Sequence, residues 1–254
     1  MHTLAMGLND SLAMIDRSVR GAIRQVDALL MSIVLPVFLM LLFVYVFGGA
    51  MSVGTEYVNY VVPGVILLCA GFGAASTAVA VASDMERGVI DRFRSLSIVR
   101  GSVLVGHVAA STLINLVATA IVIGVATIAG FRPEAGIVDW LLASGLVVLF
   151  IASLSWVATA IGLLVKNVEA ANGATFFMLF LPYVSSGFVP TETMPGPLQA
   201  VAAHQPYTPM IESLRGLLLG TPVGNDAWTA VLWFGAILAL GMAWSIRLFD
   251  RQSA

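Results

Sequence analysis

Long apolar stretches dominate the pattern of this chain. Six stretches contain no Asp, Glu, Lys or Arg, and they cover residues 28–47, 57–83, 101–131, 140–165, 170–191 and 227–246. An α-helix rises about 1.5 Å per residue and needs about 20 apolar residues to cross about 30 Å of hydrocarbon. The pattern therefore predicts an all-α integral membrane protein with six transmembrane helices, and we number the stretches as predicted spans one to six.

The composition argues against other ways of burying so many apolar residues. Hydrophobic residues make up 59% of the chain and charged residues only 10%. A soluble helix exposes a polar stripe that these stretches lack, and the strands of a β-barrel alternate with a period that is not seen here. We expect one membrane domain, residues 1–254.

Basic residues are sorted between the two ends of the predicted spans. With six crossings both termini share one side, and ten of the twelve Lys and Arg residues fall there, leaving Arg132 and Arg215 opposite. The positive-inside rule then places both termini in the cytoplasm. The strong preference for Arg over Lys, with abundant Ala, Gly and Val, resembles a GC-rich bacterium, so we expect a multi-pass protein of a bacterial plasma membrane.

Residues 1–27 are predicted to form an amphipathic helix along the cytoplasmic interface. Their apolar residues recur every three or four positions, at Leu4, Leu8, Leu12, Ile15, Val19, Ile23 and Val26. Asp10 and Asp16 interrupt the segment before any apolar run long enough for a signal peptide. The alternative is a solvated or disordered leader.

The loop 84–100, between predicted spans two and three, carries more charge than a connector needs. From Glu86 onward one helical face can collect Val89, Ile90, Phe93 and Leu96, which predicts a short amphipathic helix parallel to the membrane. Its apolar face could enter a cleft in a cytoplasmic partner, or it could bind the bilayer while the arginines meet anionic lipid. The residues alone leave both possibilities open.

The outer segment 192–226 is rich in proline and still mostly apolar. Six of the ten prolines fall between Pro190 and Pro222, and they are incompatible with a continuous spanning helix. Between them, one amphipathic helix ending at Gly220 is predicted from Met210, Ile211, Leu214, Leu217 and Leu218. We expect a broken, partly re-entrant element that packs on the spans or lines an exit.

Two blocks of sequence resemble the ABC-2 type permease family, most closely its daunorubicin-resistance branch. The first is Glu-Arg-Gly at 86–88 with Asp-Arg-Phe-Arg-Ser-Leu at 91–96, and the second comprises 186–198, 205–209 and 214–215. The resemblance implies the permease subunit of an ATP-driven exporter of a hydrophobic drug, lipid or polyketide-like substrate. It also implies six spans per subunit, a second permease subunit, identical or homologous, and two ATPase subunits. Two departures are Ser97, where relatives often have proline, and Ser111, where an acidic residue is common.

The resemblance also assigns roles to individual residues. The loop helix corresponds to the coupling helix, which docks on the ATPase through Glu86, Arg87, Gly88, Val89, Ile90, Asp91, Arg92, Phe93, Arg94 and Leu96. The N-terminal helix corresponds to the family's connecting helix. The outer segment corresponds to its re-entrant hairpin, marked by Phe188, Pro190, Met194, Pro195, Pro206 and Arg215.

This chain is not expected to be an enzyme. It has no Gly-x-x-x-x-Gly-Lys-Ser/Thr phosphate loop, and Lys166 is its only lysine. We therefore expect no cofactor or catalytic residue here, with ATP and Mg²⁺ bound by the partner ATPase. His2, His107 and His204 are too far apart in sequence to suggest a metal site. Membrane lipids are the other expected partners, and nucleic acid is not expected.

Candidate substrate contacts lie in predicted spans two and five. They are Phe72, Asn172, Phe176, Phe177, Phe180 and Tyr183. Lipid contact or core packing is the alternative for the aromatic residues, and the small residues around Phe72 favour helix packing. Asn115 is expected to form a helix-to-helix hydrogen bond, and the single cysteine, Cys69, is expected to serve packing.

Two other functions fit the residue pattern less well. An ion-gradient-driven secondary transporter would place Asp, Glu or His deep in its spans, and these spans contain no Asp or Glu. An intramembrane serine protease built on Ser185 or Ser186 would need a base in reach, whereas His107 and His204 lie at predicted span margins on opposite sides. The alternative function is therefore a secondary transporter driven by an ion gradient.

Overall fold

The structure is a computed structural model that describes residues 13–21, 26–50, 55–89 and 101–251. Within these ranges all regular elements are helical. We label the α-helices in chain order: α1 is 13–21, α2 Val26–Leu42, α3 Tyr57–Glu86, α4 Ser102–Ile128, α5 Ile137–Leu164, α6 Val168–Phe180, α7 Gly196–His204, α8 Tyr207–Leu219 and α9 Asp226–Arg251. The helical path of α2 continues through a π-helical turn, Phe43–Phe47, and that of α6 through a 3-10 turn, Leu181–Val184.

Five helices in the described ranges are long and apolar enough to cross a membrane. They are Ser32–Ala50, Tyr57–Glu86, Ser102–Ile128, Ile137–Leu164 and Asp226–Arg251, and they match predicted spans one, two, three, four and six. Predicted span five is shorter, because its helical path ends in a 3-10 turn that contains Pro182, which has no N–H to continue an α-helix. The path Val168–Val184 rises about 25 Å, less than the roughly 30 Å of hydrocarbon. The sixth crossing therefore stays a prediction.

Helix α3 lies at the centre of the fold. Between Val61 and Ala70 its side chains are buried on every face, and α2, α4, α5, α6 and α8 pack around it. Small residues permit this close packing: a Cβ atom on Gly162 of α5 would lie 2.6 Å from the carbonyl oxygen of Ala78. On α9, a Cβ atom on Gly241 would lie 3.1 Å from Val157. The small residues of these spans therefore serve helix packing.

Candidate functional site

One end of the helix bundle is closed by the segment that follows α6. After the 3-10 turn Leu181–Val184, the chain passes through Ser185, Ser186 and Gly187, forms a second 3-10 turn at Thr191–Thr193, and then continues into α7 and α8. Helix α8 ends at Gly220, whose φ of +67° is the left-handed conformation that glycine adopts readily. This confirms the predicted helix end. We call residues 185–219 the outer cap, after the side of the membrane on which the sequence predicts them.

The outer cap reaches deep between the long helices. The ring of Tyr207, at the start of α8, packs edge-on against Phe150, with 5.4 Å between ring centroids, and also contacts Phe234 of α9. Phe150 lies about 20 Å along α5 from Ile137 at 1.5 Å per residue. The Tyr207 hydroxyl donates a hydrogen bond to the carbonyl oxygen of Met178 on α6, at 3.2 Å. The cap therefore packs against α5, α6 and α9.

A glycine pair sets the distance between α3 and the outer cap. A Cβ atom on Gly64 would lie 2.8 Å from both Cα and O of Gly187, so the two backbones are in direct contact. Two tyrosines on the preceding turns of α3 hold the cap in this position. The Tyr57 hydroxyl donates to the carbonyl of Phe188 at 2.9 Å, and the Tyr60 hydroxyl donates to that of Ser186 at 2.8 Å.

Arg215 of α8 makes the strongest polar connection in this region. Its guanidinium donates to the Tyr60 carbonyl through Nε at 3.3 Å and Nη2 at 3.1 Å, and to the Ser186 carbonyl through Nη2 at 2.8 Å. It also pairs with Glu212 and lies 3.9 Å above the ring of Tyr60. Because the planar fork bonds α3 and the cap at once, Arg215 fixes one against the other.

A row of aromatic rings runs from α6 through the cap to the end of α2. Phe176, Phe180, Tyr183, Phe188 and Phe43 follow one another with centroid separations of 5.9, 6.1, 5.3 and 4.8 Å. The α6 end of this row is open, since Phe176 is 62% exposed. We call these five residues the aromatic row.

The centre of the helix bundle contains a polar network around Ser111 of α4. Its Oγ accepts hydrogen bonds from Thr77 Oγ1 at 2.9 Å and from Asn115 Nδ2 at 3.1 Å. Since both lone pairs are then occupied, the Ser111 hydroxyl donates to Ser155 Oγ of α5, also at 2.9 Å. The network therefore joins α3, α4 and α5. The amide of Asn115 occupies the space above Gly73, which a Cβ atom there would overlap.

A charge cluster joins α1, α3 and α4 at the opposite end of the molecule. Asp84 Oδ2 lies 3.0 Å from Arg17 Nη2 on α1 and 3.2 Å from His107 Nε2 on α4. The Arg17 contact is a hydrogen bond, whereas His107 is close enough for an ion pair but is not aligned for a hydrogen bond. A Cβ atom on Gly106 would lie 2.8 Å from Cβ of Met14, so α1 also packs directly on α4.

These structural features occur in a chain that matches a known protein family. The family model described as ABC-2 type transporter matches residues 10–219, which include every helix from α1 to α8. The chain belongs to the ABC-2 type transporter family.

Individual ABC-2 permeases are similar to the chain over most of its length. The daunorubicin resistance ABC transporter permease protein DrrB1 of Streptomyces coeruleorubidus is 29% identical over 224 residues, 87% of this chain and 79% of the relative. The probable doxorubicin resistance ABC transporter permease protein DrrC of two Mycobacterium tuberculosis strains is 27% identical over 206 residues. That match covers 78% of this chain and 75% of the relative. Family membership implies partnership with an ABC ATPase.

The predicted coupling residues of this ABC-2 permease lie only partly within the described ranges. Glu86 is the last residue of α3, Arg87 follows it, and Gly88 has a left-handed φ of +65° that ends the helix. Glu86 therefore belongs to α3, and the amphipathic helix predicted from Glu86 onward lies almost entirely outside the described residues, so it stays a prediction. Six predicted docking residues, Ile90, Asp91, Arg92, Phe93, Arg94 and Leu96, lie outside the described residues.

The predicted substrate contacts divide into two groups. Phe176, Phe180 and Tyr183 belong to the aromatic row, and Asn172 and Phe177 are exposed on the same short helix, Phe177 by 74%. Phe72 is separate, because it packs against the core on α3. Whether any of them contacts a substrate stays a prediction.

The predicted cap residues also differ in their surroundings. Phe188 is buried and Arg215 bonds α3, whereas Pro195 is exposed and Pro190, Met194 and Pro206 are half-buried. The proline positions therefore shape the turns of the cap, while Phe188 and Arg215 make its contacts.

Sequence reasoning missed several contacts and misassigned one. Asn115 bonds within its own helix, to Ser111, because Gly73 leaves room for its amide, and the helix-to-helix hydrogen bonds come from Ser111 instead. The Gly64–Gly187 contact and the Asp84–His107 pair were not predicted. Asp84 directly follows the end of predicted span two, and a carboxylate at that position could have suggested a charged contact between helix ends. Nothing in the sequence around Gly64 indicated its backbone contact, apart from the small size of glycine.

Proposed function

We propose that this chain is the membrane permease subunit of an ATP-driven exporter of hydrophobic drug-, lipid- or polyketide-like compounds. The observation that carries the proposal is the family match across 10–219, together with relatives named for daunorubicin and doxorubicin resistance. ATP and Mg²⁺ would be bound by a separate ABC ATPase, in keeping with a sequence that contains no phosphate loop.

The surface on and beside α6 supports a hydrophobic cargo. The aromatic row offers ring faces and edges without a single formal charge, and stacked aromatic surface is suited to flat apolar molecules. Phe176, Phe177 and Phe180 are all more than half exposed in one copy of the chain. We infer that this surface faces the cargo path, which a second permease subunit, identical or homologous, would complete.

The proposed topology keeps six crossings with both termini in the cytoplasm. Helix α6 is too short to span alone, but the cap reaches back between α5 and α9 to the depth of Phe150. We infer that α6 enters the membrane from the cytoplasmic side and that the cap completes the crossing as a re-entrant element. Protein surrounds this irregular backbone, as the absence of water in hydrocarbon requires.

Energy coupling is assigned to the loop after α3. In the proposal, residues 86–97 dock on the ATPase, two copies of which bind beneath two permease subunits. Nucleotide binding would draw the ATPases together, move this loop and tilt the helices between inward-open and outward-open arrangements. The Asp84 cluster supports such a role, because it ties the end of α3 to α1 and α4 directly beside the loop.

The alternative function is transport driven by an ion gradient. Transport assays with the reconstituted protein distinguish ATP-driven export from gradient-driven transport. Purified permease and its co-purified ATPase, placed together in liposomes, are expected to move doxorubicin only with Mg²⁺ and ATP. Ionophores that collapse ion gradients should leave the rate unchanged. Transport by the permease alone, driven by a gradient, would refute the proposal.

A paired substitution tests the coupling assignment. Arg92→Ala with Phe93→Ala is expected to abolish co-purification of the ATPase, because it removes one charge and the largest apolar side chain from the docking face. Arg247→Ala with Arg251→Ala is the matched control, since it removes two exposed basic residues from the same predicted side. Retained assembly and undiminished ATP turnover in the first pair would show that the assignment is wrong.

A further inference from the structure

The end of α6 leaves one backbone carbonyl without its helical partner. In an α-helix the carbonyl oxygen of residue i accepts a hydrogen bond from the amide of residue i+4, so the Met178 carbonyl would bond the amide of residue 182. Residue 182 is a buried proline, which has no N–H to donate. Hydrocarbon offers no water to replace that donor, so at the depth of a predicted span another protein group must supply it.

The hydroxyl of Tyr207 supplies the missing donor. It donates to the Met178 carbonyl at 3.2 Å, from a position 29 residues further along the chain. The tyrosine ring is only 2% exposed and packs edge-on against Phe150 of α5 and Phe234 of α9, with centroid separations of 5.4 and 6.0 Å. This packing fixes the ring, and therefore fixes the position of the hydroxyl at the carbonyl.

Gln205 donates to the turn that follows in the same way. Its Nε2 donates to the carbonyl of Leu181 at 3.3 Å and to that of Val184, which are the first and last residues of the 3-10 turn. Gln205 is 7% exposed, and its Oε1 is buried without a hydrogen-bond partner in the part of the chain that the structure describes. An unpaired buried oxygen is costly, so the amide is placed here for its donors.

The three carbonyls lie on the turns that carry the aromatic row, and the break at Pro182 lies inside that row. Phe180 precedes the proline and Tyr183 follows it. After the break the chain turns back, and Phe188 stacks on Tyr183 with 5.3 Å between centroids and 10° between ring planes. In a continuous α-helix five residues turn by about 500°, so these two rings would point about 140° apart. The continuity of the row therefore depends on the break.

We propose that Tyr207 and Gln205 are positioning residues for the cargo surface. Their three donated hydrogen bonds stabilise the broken end of α6, and this holds the aromatic row in the arrangement that receives the cargo. They act on the backbone of the row rather than on the cargo. The cargo role rests on the proposed function, whereas the replacement of the amide that Pro182 lacks does not. The block 205–209, which carries part of the family resemblance, thus acquires a physical role.

A double-mutant cycle tests the replacement of the amide. Tyr207→Phe removes only a hydroxyl and is expected to lower the thermal unfolding temperature of the purified protein in detergent by at least about 2 °C, because a carbonyl loses its donor. Pro182→Ala supplies an N–H at residue 182, so in that background the loss should be at most about half as large. Equal losses in the two backgrounds would overturn the proposal.

Tyr57→Phe is the matched control for this cycle. Its hydroxyl also donates to a backbone carbonyl of the cap, that of Phe188, which lies beyond the reach of an amide at residue 182. Its effect on the unfolding temperature should be the same with and without Pro182→Ala. A loss that shrinks in the control as much as in Tyr207→Phe would show a general rearrangement of the cap and would also overturn the proposal.

Transport kinetics test the cargo role. With the permease and its co-purified ATPase in liposomes, Tyr207→Phe and Gln205→Leu are each expected to raise the KM for doxorubicin at least about threefold and to change kcat less than about twofold, since a displaced row weakens cargo binding throughout the cycle. Ser245→Ala is the control, because it loses a buried hydrogen bond to the Trp156 carbonyl outside the row. An unchanged KM in the first two variants, or an equal rise in the control, would overturn the cargo role.

The two tests fail separately. The unfolding cycle needs neither cargo nor ATP, so it decides the replacement of the amide whatever the protein transports. Absence of doxorubicin transport by the unsubstituted complex would overturn the proposed export of such compounds, and the cargo role with it. Transport by the unsubstituted complex with an unchanged KM in Tyr207→Phe would overturn the cargo role alone.

Discussion

The contact between Gly64 and Gly187 allows a sharp test of how the outer cap is held. Gly64→Ala adds one methyl group at a point where its Cβ would lie 2.8 Å from two backbone atoms of Gly187. Carbon atoms in ordinary contact are separated by about 3.5–4.0 Å, so the cap must retreat by at least about 0.7 Å. No side-chain rotation can relieve this overlap, because both partners are backbone.

The retreat has a cost that can be worked out from the neighbouring hydrogen bonds. Two hydrogen bonds cross from α3 to the cap: the Tyr60 hydroxyl lies 2.8 Å from the Ser186 carbonyl oxygen, and Arg215 Nη2 lies 3.1 Å from the Tyr60 carbonyl oxygen. A shift of about 0.7 Å along these bonds lengthens them to about 3.5 and 3.8 Å, at and beyond the limit of a useful hydrogen bond. Overpacking of this kind costs about 1–3 kcal/mol. Alanine in a helix interior regains up to about 1 kcal/mol over glycine, so a mid-range overpacking cost of about 2 kcal/mol leaves Gly64→Ala destabilised by at least about 1 kcal/mol.

Gly71→Ala is the matched control, because it makes the same substitution two turns along the same helix. A Cβ atom there would meet nothing within 4 Å outside its own helix, so only the propensity gain applies. Thermal unfolding of both variants in detergent should show a fall of a few degrees for Gly64→Ala and no fall for Gly71→Ala. Equal behaviour of the two variants would refute the backbone contact as the element that positions the cap.

Three further substitutions probe the other contacts. Arg215→Lys keeps the charge but loses the planar fork, and chemical denaturation should show a loss of about 1–3 kcal/mol. Gly73→Ala should displace the amide of Asn115 and cost a similar amount, and adding Asn115→Ala should recover part of it, which a double-mutant cycle measures. Asp84→Asn should lower ATP-driven transport, because it removes the charge that lies against Arg17 and His107; unchanged transport would exclude the cluster from coupling.

Most of the helices could be predicted from sequence because each depends on a continuous run of neighbouring residues. A membrane-spanning helix requires only a sufficient run of apolar residues, and five predicted spans meet that condition in the structure. The helix at predicted span five, Val168–Val184, is shorter than the uncharged stretch that predicted it, because Pro182 interrupts a helix without carrying a charge. Backbone chemistry, rather than hydropathy, ends the helical path at Val184.

The contacts within the site were less predictable because they join residues distant in sequence. Tyr60 and Ser186 are separated by 126 positions, and no periodicity relates them. Arg215 was singled out through its family motif, but its bond to the Tyr60 carbonyl depends on how α8 turns back onto α3. The Asp84 charge was assigned to a loop, whereas it lies two residues before the end of a helix that continues to Glu86.

The position of α3 explains why contacts at its two ends can act together. The helix is continuous over 30 residues, rises about 45 Å, and is clamped at the outer end by Tyr57, Tyr60 and Gly64. At the other end Asp84 ties it to α1 and α4, immediately before the proposed docking loop. The middle part of α3, residues 61–70, is buried on every face and cannot bend without opening cavities, so we expect the helix to transmit a displacement as a unit. Force applied to residues 86–97 would therefore reach the outer cap through α3, and variants at Asp84 and Gly64 should impair the same transport step although the two residues lie at opposite ends of the helix.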